Sequence, residues 1–289
     1  MTAGAQQAPS PDVGALYLVG TPIGNLEDIT LRALRVLGEV DLVAAEDTRI
    51  TRKLLAHYQI RVPVTSYHRH NLARRTSELV AQLKQGKQIA LVSDAGMPGI
   101  SDPGEELVRA SAAVGIPVIP VPGPTAAITA LAVSGLPTAE FVFVGFLPRA
   151  IKKRRELLAS LATQTRTTIC HEAPHRLLAA LRDFYTAFGS AEIAVARELT
   201  KAFEEVRRGT ASQLLEHFSA VPPKGEMTLV IAPTSASPVA DCQAAGDLRA
   251  AVKEARRMIA EGVRKTEAAK RVAVQYRVSR AALYRQLST

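Results

Sequence analysis

Short apolar runs alternate with longer amphipathic stretches along this chain, and this alternation restricts its fold more than any other feature. Each run has four or five residues and is apolar throughout, which is typical of a strand buried on both faces. In the first half the runs are Ala15–Val19, Leu42–Ala45, Ile89–Val92 and Val118–Val121. The stretches between them predict helices over Ile29–Leu37, Thr48–Tyr58, Leu72–Gln85 and Glu105–Val114. The sequence therefore predicts an α/β fold with a mainly parallel sheet.

The second half repeats the alternation and predicts a second α/β domain. Its strand candidates are Phe141–Gly145, Thr167–His171, Ile193–Arg197 and Thr228–Ala232. Its helix candidates are Lys152–Leu161, Pro174–Phe188 and Ser212–Phe218. We place the boundary in the VPGPTA segment, so that residues 14–123 form an N-terminal domain and residues 124–233 a C-terminal one. Residues 1–13 are predicted to be a disordered tail and residues 234–247 a linker.

The composition suits a cytoplasmic enzyme. The 289 residues are 47% hydrophobic, which is enough for one large core or two medium ones. Cys170 and Cys242 have neither zinc-site nor disulfide-framework spacing, so we expect a reducing compartment. The segment Ala110–Ala139 carries no charge, but prolines between residues 117 and 124 disfavour a membrane helix there.

Most of the net charge of +9 lies in the last segment, residues 248–289. From Lys253 onwards there are ten Lys or Arg and three Glu, a net charge of +7. The run TEAAKRVAVQYRVSRAALYRQL predicts a helix-turn-helix-like tail, with Ser279 placed to cap the second helix. Such a tail suits contact with nucleic acid, and the alternative is a packing appendage that happens to be basic.

Four loops rich in Gly and Pro directly follow predicted strands. They are GTPIGNL at 20–26, SDAGMPGISDPG at 93–104, PGPTA at 122–126 and GFLP at 145–148. Ligands of open α/β sheets bind outside the carboxyl ends of the strands, so we expect these loops to form one cleft. The chain has neither a P-loop nor a GxGxxG motif. The loops therefore favour a nucleoside-like ligand without a polyphosphate.

Eight motifs carry a resemblance to a known family. They are LYLVGTPIGNLEDITLRAL, AEDTR, SDAGMPGISDPG, VPGPTAA, GFLPR, HEAPHRL, RELTKAFEE and MTLVIAP. In this order they resemble the tetrapyrrole methylase superfamily, and most of all its branch of small-subunit ribosomal RNA methyltransferases. The resemblance implies two α/β domains with S-adenosylmethionine in the cleft between them, usually in a homodimer. It also implies 2′-O-methylation of a cytidine in the decoding region of 16S ribosomal RNA.

The resemblance also implies a set of cofactor-binding residues. The SDAGMPGISDPG loop matches the main cofactor loop of the superfamily, the VPGPTAA and GTPIGNL loops match further contacts, and two residues of the second domain lie near where it closes over the cofactor. The set is Pro22, Asp94, Ala95, Gly96, Gly99, Thr125, Ala126, Glu172 and Leu199. The alternative is that the Gly and Pro residues only shape turns.

Catalysis by this chemistry needs an aligned ribose hydroxyl, and a general base would assist by taking its proton. Glu46 and Asp47 follow a buried strand in AEDTR, with Arg49 close by. Paired carboxylates raise the pKa of one partner, which suits a base. The alternative is that Asp47 caps the helix that begins at Thr48.

Two further groups contain residue types that suit catalysis or metal binding. Lys201, with Glu198 and Glu204 in RELTKAFEE, is a second catalytic candidate, and the alternative is a surface ion-pair set. His68 and His70 form a His-x-His pair, but no third ligand is evident, so we expect no metal.

Basic residues near the loops are candidates for contact with RNA phosphates, the alternative being an ordinary solvated face. They are Arg74, Arg75, Arg149, Lys152, Lys153, Arg154, Arg155 and Arg176. Arg176 suits either RNA or a carboxylate.

Two other functions compete with RNA ribose methylation. One is methylation of a small anionic tetrapyrrole precursor, which needs an enclosed pocket and has no evident use for a basic tail. The other is an RNA-binding assembly protein that keeps the cofactor fold without turnover. The branch-specific motifs AEDTR and SDAGMPGISDPG favour the ribosomal RNA methyltransferase.

Overall fold

The computed structural model describes residues 14–233, 248–263 and 265–276, together with positions 283, 286 and 287. The chain divides into two compact units, Met1–Thr234 and Ser235–Thr289. Both five-stranded sheets belong to the first unit.

The first sheet is entirely parallel. Its strands are β1 (Ala15–Val19), β2 (Leu42–Ala45), β3 (Val64–Ser66), β4 (Gln88–Val92) and β5 (Val118–Val121), in the order β3-β2-β4-β1-β5. Its helices are α1 (Leu31–Glu39), α2 (Thr48–His57), α3 (Leu72–Lys84) and α4 (Glu105–Ala113). Along β4, Ala90 and Val92 pack in the core with α1 and α2, while Ile89 and Leu91 pack with α3 and α4. Burial of both faces explains why these strands are apolar throughout.

The second sheet is mixed. Its strands are β6 (Phe141–Phe146), β7 (Thr167–Glu172), β8 (Glu192–Arg197), β9 (Glu205–Thr210) and β10 (Met227–Ile231), in the order β6-β7-β10-β8-β9. Only β6 and β7 pair in parallel. One face packs on α6 (Ile151–Leu161), α7 (Leu177–Phe188) and α8 (Ala211–Ala220). The opposite face packs on α5 (Ala126–Ser134).

The predicted α/β fold class is confirmed, and every predicted strand exists with ends that differ by at most one residue. The sequence did not predict β3 or β9. The first has only three half-buried residues, and the second, EVRRGT, is a polar edge strand that a hydrophobic pattern does not reveal. Residues 122–125, where we place the domain boundary, connect β5 to α5.

The second unit contains α9 (Leu248–Ala260) and α10 (Lys265–Gln275). Its small core is formed by Ala251, Ala255, Ala269, Val272 and Leu283. The turn and the Ser279 cap predicted for the helix-turn-helix lie outside the described residues. Among the helices that the structure describes, none has the length and apolarity required to cross a membrane.

Candidate active site

Three of the Gly/Pro loops come together at the carboxyl ends of the parallel strands. The backbones of Thr21, after β1, and Gly96, after β4, exchange two hydrogen bonds with N–O distances of 3.0 Å. Gly20 packs directly on the loop after β5, because a Cβ at Gly20 would lie 2.7 Å from the Cα of Gly123. Only glycine allows this approach, so the loops form one continuous wall.

These loops line a cavity of about 890 Å³ whose other wall is the second sheet. The first sheet contributes chiefly Ile23, Glu46, Asp94, Ala95, Gly96, Met97, Asp102, Thr125 and Ala126. The second sheet and its loops contribute chiefly Phe143, His171, Glu172, Leu199, Lys201 and Met227. A largely apolar lining with a few convergent polar groups is typical of a small-molecule site.

Most of the residues predicted to bind a cofactor lie on this cavity. Those that line it are Asp94, Ala95, Gly96, Thr125, Ala126, Glu172 and Leu199. Pro22 and Gly99 are not among the lining residues. Pro22 precedes the lining residue Ile23, and Gly99 has a positive φ of 84° and packs on the backbone of Gly104. Their role as cofactor contacts stays a prediction.

Three carboxylates lie at one edge of the cavity: Glu46, Asp94 and Asp102. Burial, together with the charges of Asp102 and Asp94, raises the pKa of Glu46 to about 6. Burial and the charge of Asp94 raise the pKa of Asp102 to about 6 as well. Burial also raises the pKa of Asp94, whose Oδ1 accepts a hydrogen bond from the backbone N of Asp47 at 2.9 Å. Glu46 and Asp102 therefore stay mostly ionised at neutral pH but are more basic than ordinary carboxylates, which suits a general base.

Asp47 and Arg49 do not belong to this group. Asp47 caps α2, since its Oδ1 accepts from the backbone N of Arg49 at 2.8 Å, and its Oδ2 lies 2.6 Å from Arg49 Nη2. Hydrogen bonds from Arg49 hold the pKa of Asp47 well below its usual range. Neither side chain lines the cavity. The partners of Glu46 are instead Asp94 and Asp102, and Asp102 was missed although Ser-Asp occurs twice in SDAGMPGISDPG.

Glu172 lies at the wall of the cavity with its carboxylate buried. Its side chain has no exposed surface, and burial raises its pKa. Oε1 accepts from the backbone N of Ala173 at 2.8 Å. Oε2 lies 3.2 Å from Arg176 Nη2 without hydrogen-bond alignment, so it has no hydrogen bond within the described protein. Arg176, which also donates to the carbonyls of Leu147 and Pro148, therefore faces a carboxylate.

Lys201 lies in a set of ion pairs on the cavity wall. Its Nζ is 3.0 Å from Glu198 Oε1 and 3.4 Å from Glu226 Oε2. Burial opposes its charge, but these partners outweigh burial and raise the pKa of Lys201. It stays protonated at neutral pH, which disfavours a base role and leaves it as a fixed cation. Glu198 and Thr200 adopt positive φ values of 51° and 66° in this loop. Asn25 N, in the loop after β1, donates to Thr200 Oγ1 at 3.0 Å, which connects the two walls.

Of the basic residues predicted to contact RNA, some are exposed and others form ion pairs with carboxylates. Arg149, Lys152 and Lys153 are exposed directly after β6. The prediction that Arg154 contacts RNA is wrong. Its side chain is 5% exposed and lies 2.6 Å from Asp183 Oδ2, so no phosphate can reach it. Three others pair with carboxylates at the surface: Arg155 with Asp183, and Arg74 and Arg75 with Glu78.

The architecture defines a class of enzyme. The structure is similar to uroporphyrin-III-C-methyltransferase from Thermus thermophilus, with a TM-score of 0.56 and 25% identity, over 76% of this chain and 95% of that one. It is also similar to cobalt precorrin-4 methyltransferase, with a TM-score of 0.58 and 18% identity, over 78% and 98% of the two chains. The fold is thus that of the two-domain α/β methyltransferases.

The family follows from the sequence comparisons. Residues 15–215 match the family of Tetrapyrrole (Corrin/Porphyrin) Methylases, and the chain belongs to this family. A Synechocystis protein named ribosomal RNA small subunit methyltransferase I is 51% identical over 96% of this chain and 98% of its own length. A Thermotoga maritima protein of the same name is 51% identical over 76% of this chain and 98% of its own. About a quarter of this chain therefore has no counterpart in the Thermotoga protein.

Proposed function

We propose that this chain transfers a methyl group from S-adenosylmethionine to the ribose 2′-hydroxyl of a cytidine in the decoding region of 16S ribosomal RNA. The observation that carries the proposal is the 51% identity, over nearly the full length of both chains, to a protein named ribosomal RNA small subunit methyltransferase I. Because the similarity covers 96% of this chain, we expect the substrate class to be shared.

The cavity fits this cofactor in size and chemistry. Its volume of about 890 Å³ leaves room for a nucleoside-sized ligand beside a second reactant. Ile23, Ala126 and Leu199 offer apolar walls to an adenine ring and a thioether chain. Asp94 offers a carboxylate acceptor to hydroxyl and ammonium donors. When bound, the cofactor supplies an electrophilic methyl group on a sulfonium.

The side chains of the protein position the reactants and accept the proton of the ribose hydroxyl. We propose that Glu46 takes the proton of the ribose hydroxyl on a carboxylate oxygen, because burial and neighbouring carboxylates give it a pKa of about 6. Lys201, held by Glu198 and Glu226, keeps one positive charge in an otherwise acidic cavity.

The RNA would be held outside the cavity by exposed cations, with Arg149, Lys152 and Lys153 nearest to the fourth Gly/Pro loop. We propose the small ribosomal subunit as partner, the cytoplasm as location and a homodimer as the assembly, as the family resemblance implies. Sedimentation equilibrium of the full chain tests the dimer, and a mass of one chain at micromolar concentration would contradict it.

Methylation of a tetrapyrrole precursor is the second candidate, because the family is named for that substrate class. One experiment separates the candidates: purified protein is incubated with methyl-labelled cofactor and either small ribosomal subunits or a tetrapyrrole precursor. Label in RNA dinucleotides that resist alkali supports ribose methylation. Label in the tetrapyrrole alone would contradict it. Tight RNA binding without label would indicate an assembly protein.

The basic tail is proposed to add affinity for RNA and not to take part in the chemistry. The Thermotoga relative of the same name matches 76% of this chain over 98% of its own length, so proteins of that name do not all share the full length of this chain. Deletion after Asp241 should weaken binding to small subunits and flatten its salt dependence, with little change in the rate at saturating substrate. Equal affinity with and without the tail at every salt concentration would show that the tail only packs.

A further inference from the structure

Strand β6 contains a bulge that changes the face on which its last side chain lies. Phe143 pairs with Ile169 and Phe146 with His171, so three steps along β6 correspond to two along β7. Gly145, inside the bulge, has a positive φ of 65°, a conformation that suits glycine. The glycine at position 145 therefore favours the bulge, and the bulge changes the face of the sheet on which the next side chain lies.

Without the bulge, Phe146 would lie on the helix-packed face of the sheet. Val142 and Val144 pack on that face, against the core with α6 and α7, and strict alternation would add residue 146 to them. Instead Phe146 lies with Phe141 and Phe143 on the face that lines the cavity. The next residue, Leu147, enters the helix-side core and is 2% exposed.

The result is an aromatic surface at the mouth of the cavity. Phe146 is 58% exposed and Phe141 is 39% exposed, although both are large apolar side chains. The ring of His171 lies between Phe143 and Phe146, with centroid distances of 5.1 Å and 5.4 Å. A contact between His171 Nδ1 and Thr228 Oγ1 at 3.1 Å fixes this ring. In this aromatic surface the His171 ring is held by a hydrogen bond, while the Phe146 ring is exposed to solvent.

Several positively charged residues follow Phe146 in the sequence. Arg149, which precedes α6, and Lys152 and Lys153, in its first turn, are all exposed and lie within seven residues of Phe146 in the sequence. An exposed ring next to several cations is the combination by which proteins hold single-stranded nucleic acid, since bases stack on the ring and phosphates meet the cations.

We propose that Phe146, supported by Phe141 and His171, is the stacking platform for an unpaired nucleobase of the RNA substrate. This inference rests on the proposed function. A ribose hydroxyl can enter the cavity only if its nucleotide leaves the helical stack, and the unstacked base then needs a new apolar partner. The exposed face of Phe146 supplies that partner and holds the attached ribose toward Glu46, Asp94 and Asp102.

A fluorescence experiment tests the platform directly, because the sequence contains no Trp. Phe146→Trp introduces a single reporter, and Tyr185→Trp is the matched control, since Tyr185 is 57% exposed on α7 and does not line the cavity. Oligocytidylate should quench the fluorescence of Phe146→Trp, whereas an abasic oligomer of equal charge and the control variant should show little quenching. Equal quenching by the two oligomers, or none in Phe146→Trp while oligocytidylate binds, would overturn the proposal.

An activity measurement separates this inference from the proposed function. Phe146→Ala should reduce kcat/KM for small ribosomal subunits about 5- to 150-fold, the usual loss for one stacked base, while cofactor affinity is retained. Phe146→Tyr should restore the activity, because a tyrosine ring also stacks. If the unmodified protein methylates subunits and Phe146→Ala does so equally well, the platform is wrong and the proposed function stands. If Phe146→Ala instead changes only the sedimentation mass, the ring contacts a second copy of the chain and the proposal fails.

Discussion

Replacement of Glu46 by Gln tests the proton-transfer step, since it keeps the shape of the side chain and removes its basic oxygen. The methyl-transfer rate at saturating substrate should fall about 100-fold or more, the usual contribution of a positioned general base. The wild-type rate should rise with pH around a midpoint near 6, the pKa of Glu46, and this rise should be absent in the variant. Cofactor affinity, measured by calorimetry, should change little.

The same substitution has a predicted effect on stability. A pKa of about 6, against a usual 4.5, makes ionisation of Glu46 about 2 kcal/mol more costly in the folded protein than in the unfolded chain. Solvent that reaches the half-buried side chain reduces this to about 1 kcal/mol. Because the folded pKa is raised, the cost is present above pH 6 and disappears below pH 4.5. Glu46→Gln should therefore be about 1 kcal/mol more stable than wild type at pH 8 and equal to it at pH 4.

Asp102→Asn is the matched control, because it keeps Glu46 and removes a neighbouring charge. The midpoint of its pH–rate profile should move below 6, since the charge of Asp102 helps to raise the pKa of Glu46. Chemical denaturation at pH 4 and pH 8, together with single-turnover rates between pH 5 and 8, gives all these values. A Glu46→Gln rate within threefold of wild type, with an unchanged profile, would refute the assignment.

Two further substitutions test the packing that supports the cavity. Asp183→Ala leaves the buried guanidinium of Arg154 without its carboxylate and should lower the free energy of unfolding by about 3–5 kcal/mol; a loss below about 1 kcal/mol in urea unfolding would contradict this. Gly20→Ala should reduce cofactor affinity at least tenfold, because its Cβ would lie 2.7 Å from the Cα of Gly123, whereas Gly38→Ala, with nothing within 4 Å, should leave affinity unchanged.

The hydrophobic pattern predicted the fold class and the positions of the loops. A strand that is buried on both faces consists of apolar residues throughout, so it is visible in the sequence. It did not predict β9, whose pairing depends on a partner strand and not on its own polar sequence. Proximity in sequence also did not show which carboxylates lie together. Asp47 follows Glu46 but is turned into the cap of α2, while Asp102, 56 positions away, shares the cavity edge.

The sequence also did not predict the direction in which two important side chains point. Arg154 lies in a run of exposed cations, yet its position on α6 faces Asp183 and buries it. Phe146 belongs to the GFLP segment, which we predicted to be a loop, and the sequence does not show that β6 continues through a bulge at Gly145 and places Phe146 on the cavity face. The bulge shifts the strand by one residue, which a pattern of residue types does not specify. Arg154 shares the buried face of α6 with Leu158 and Leu161, but a basic side chain does not by itself indicate a buried ion pair.

The most direct measurement concerns the modified nucleoside itself. Small ribosomal subunits from a strain without this protein are incubated with the purified chain and S-adenosylmethionine, and the RNA is digested to nucleosides for mass spectrometry. The proposed function predicts one 2′-O-methylcytidine per subunit, formed by wild type and at least about 100 times more slowly by Glu46→Gln. Methylation of a base instead of a ribose, or an unmodified RNA despite bound cofactor, would contradict it.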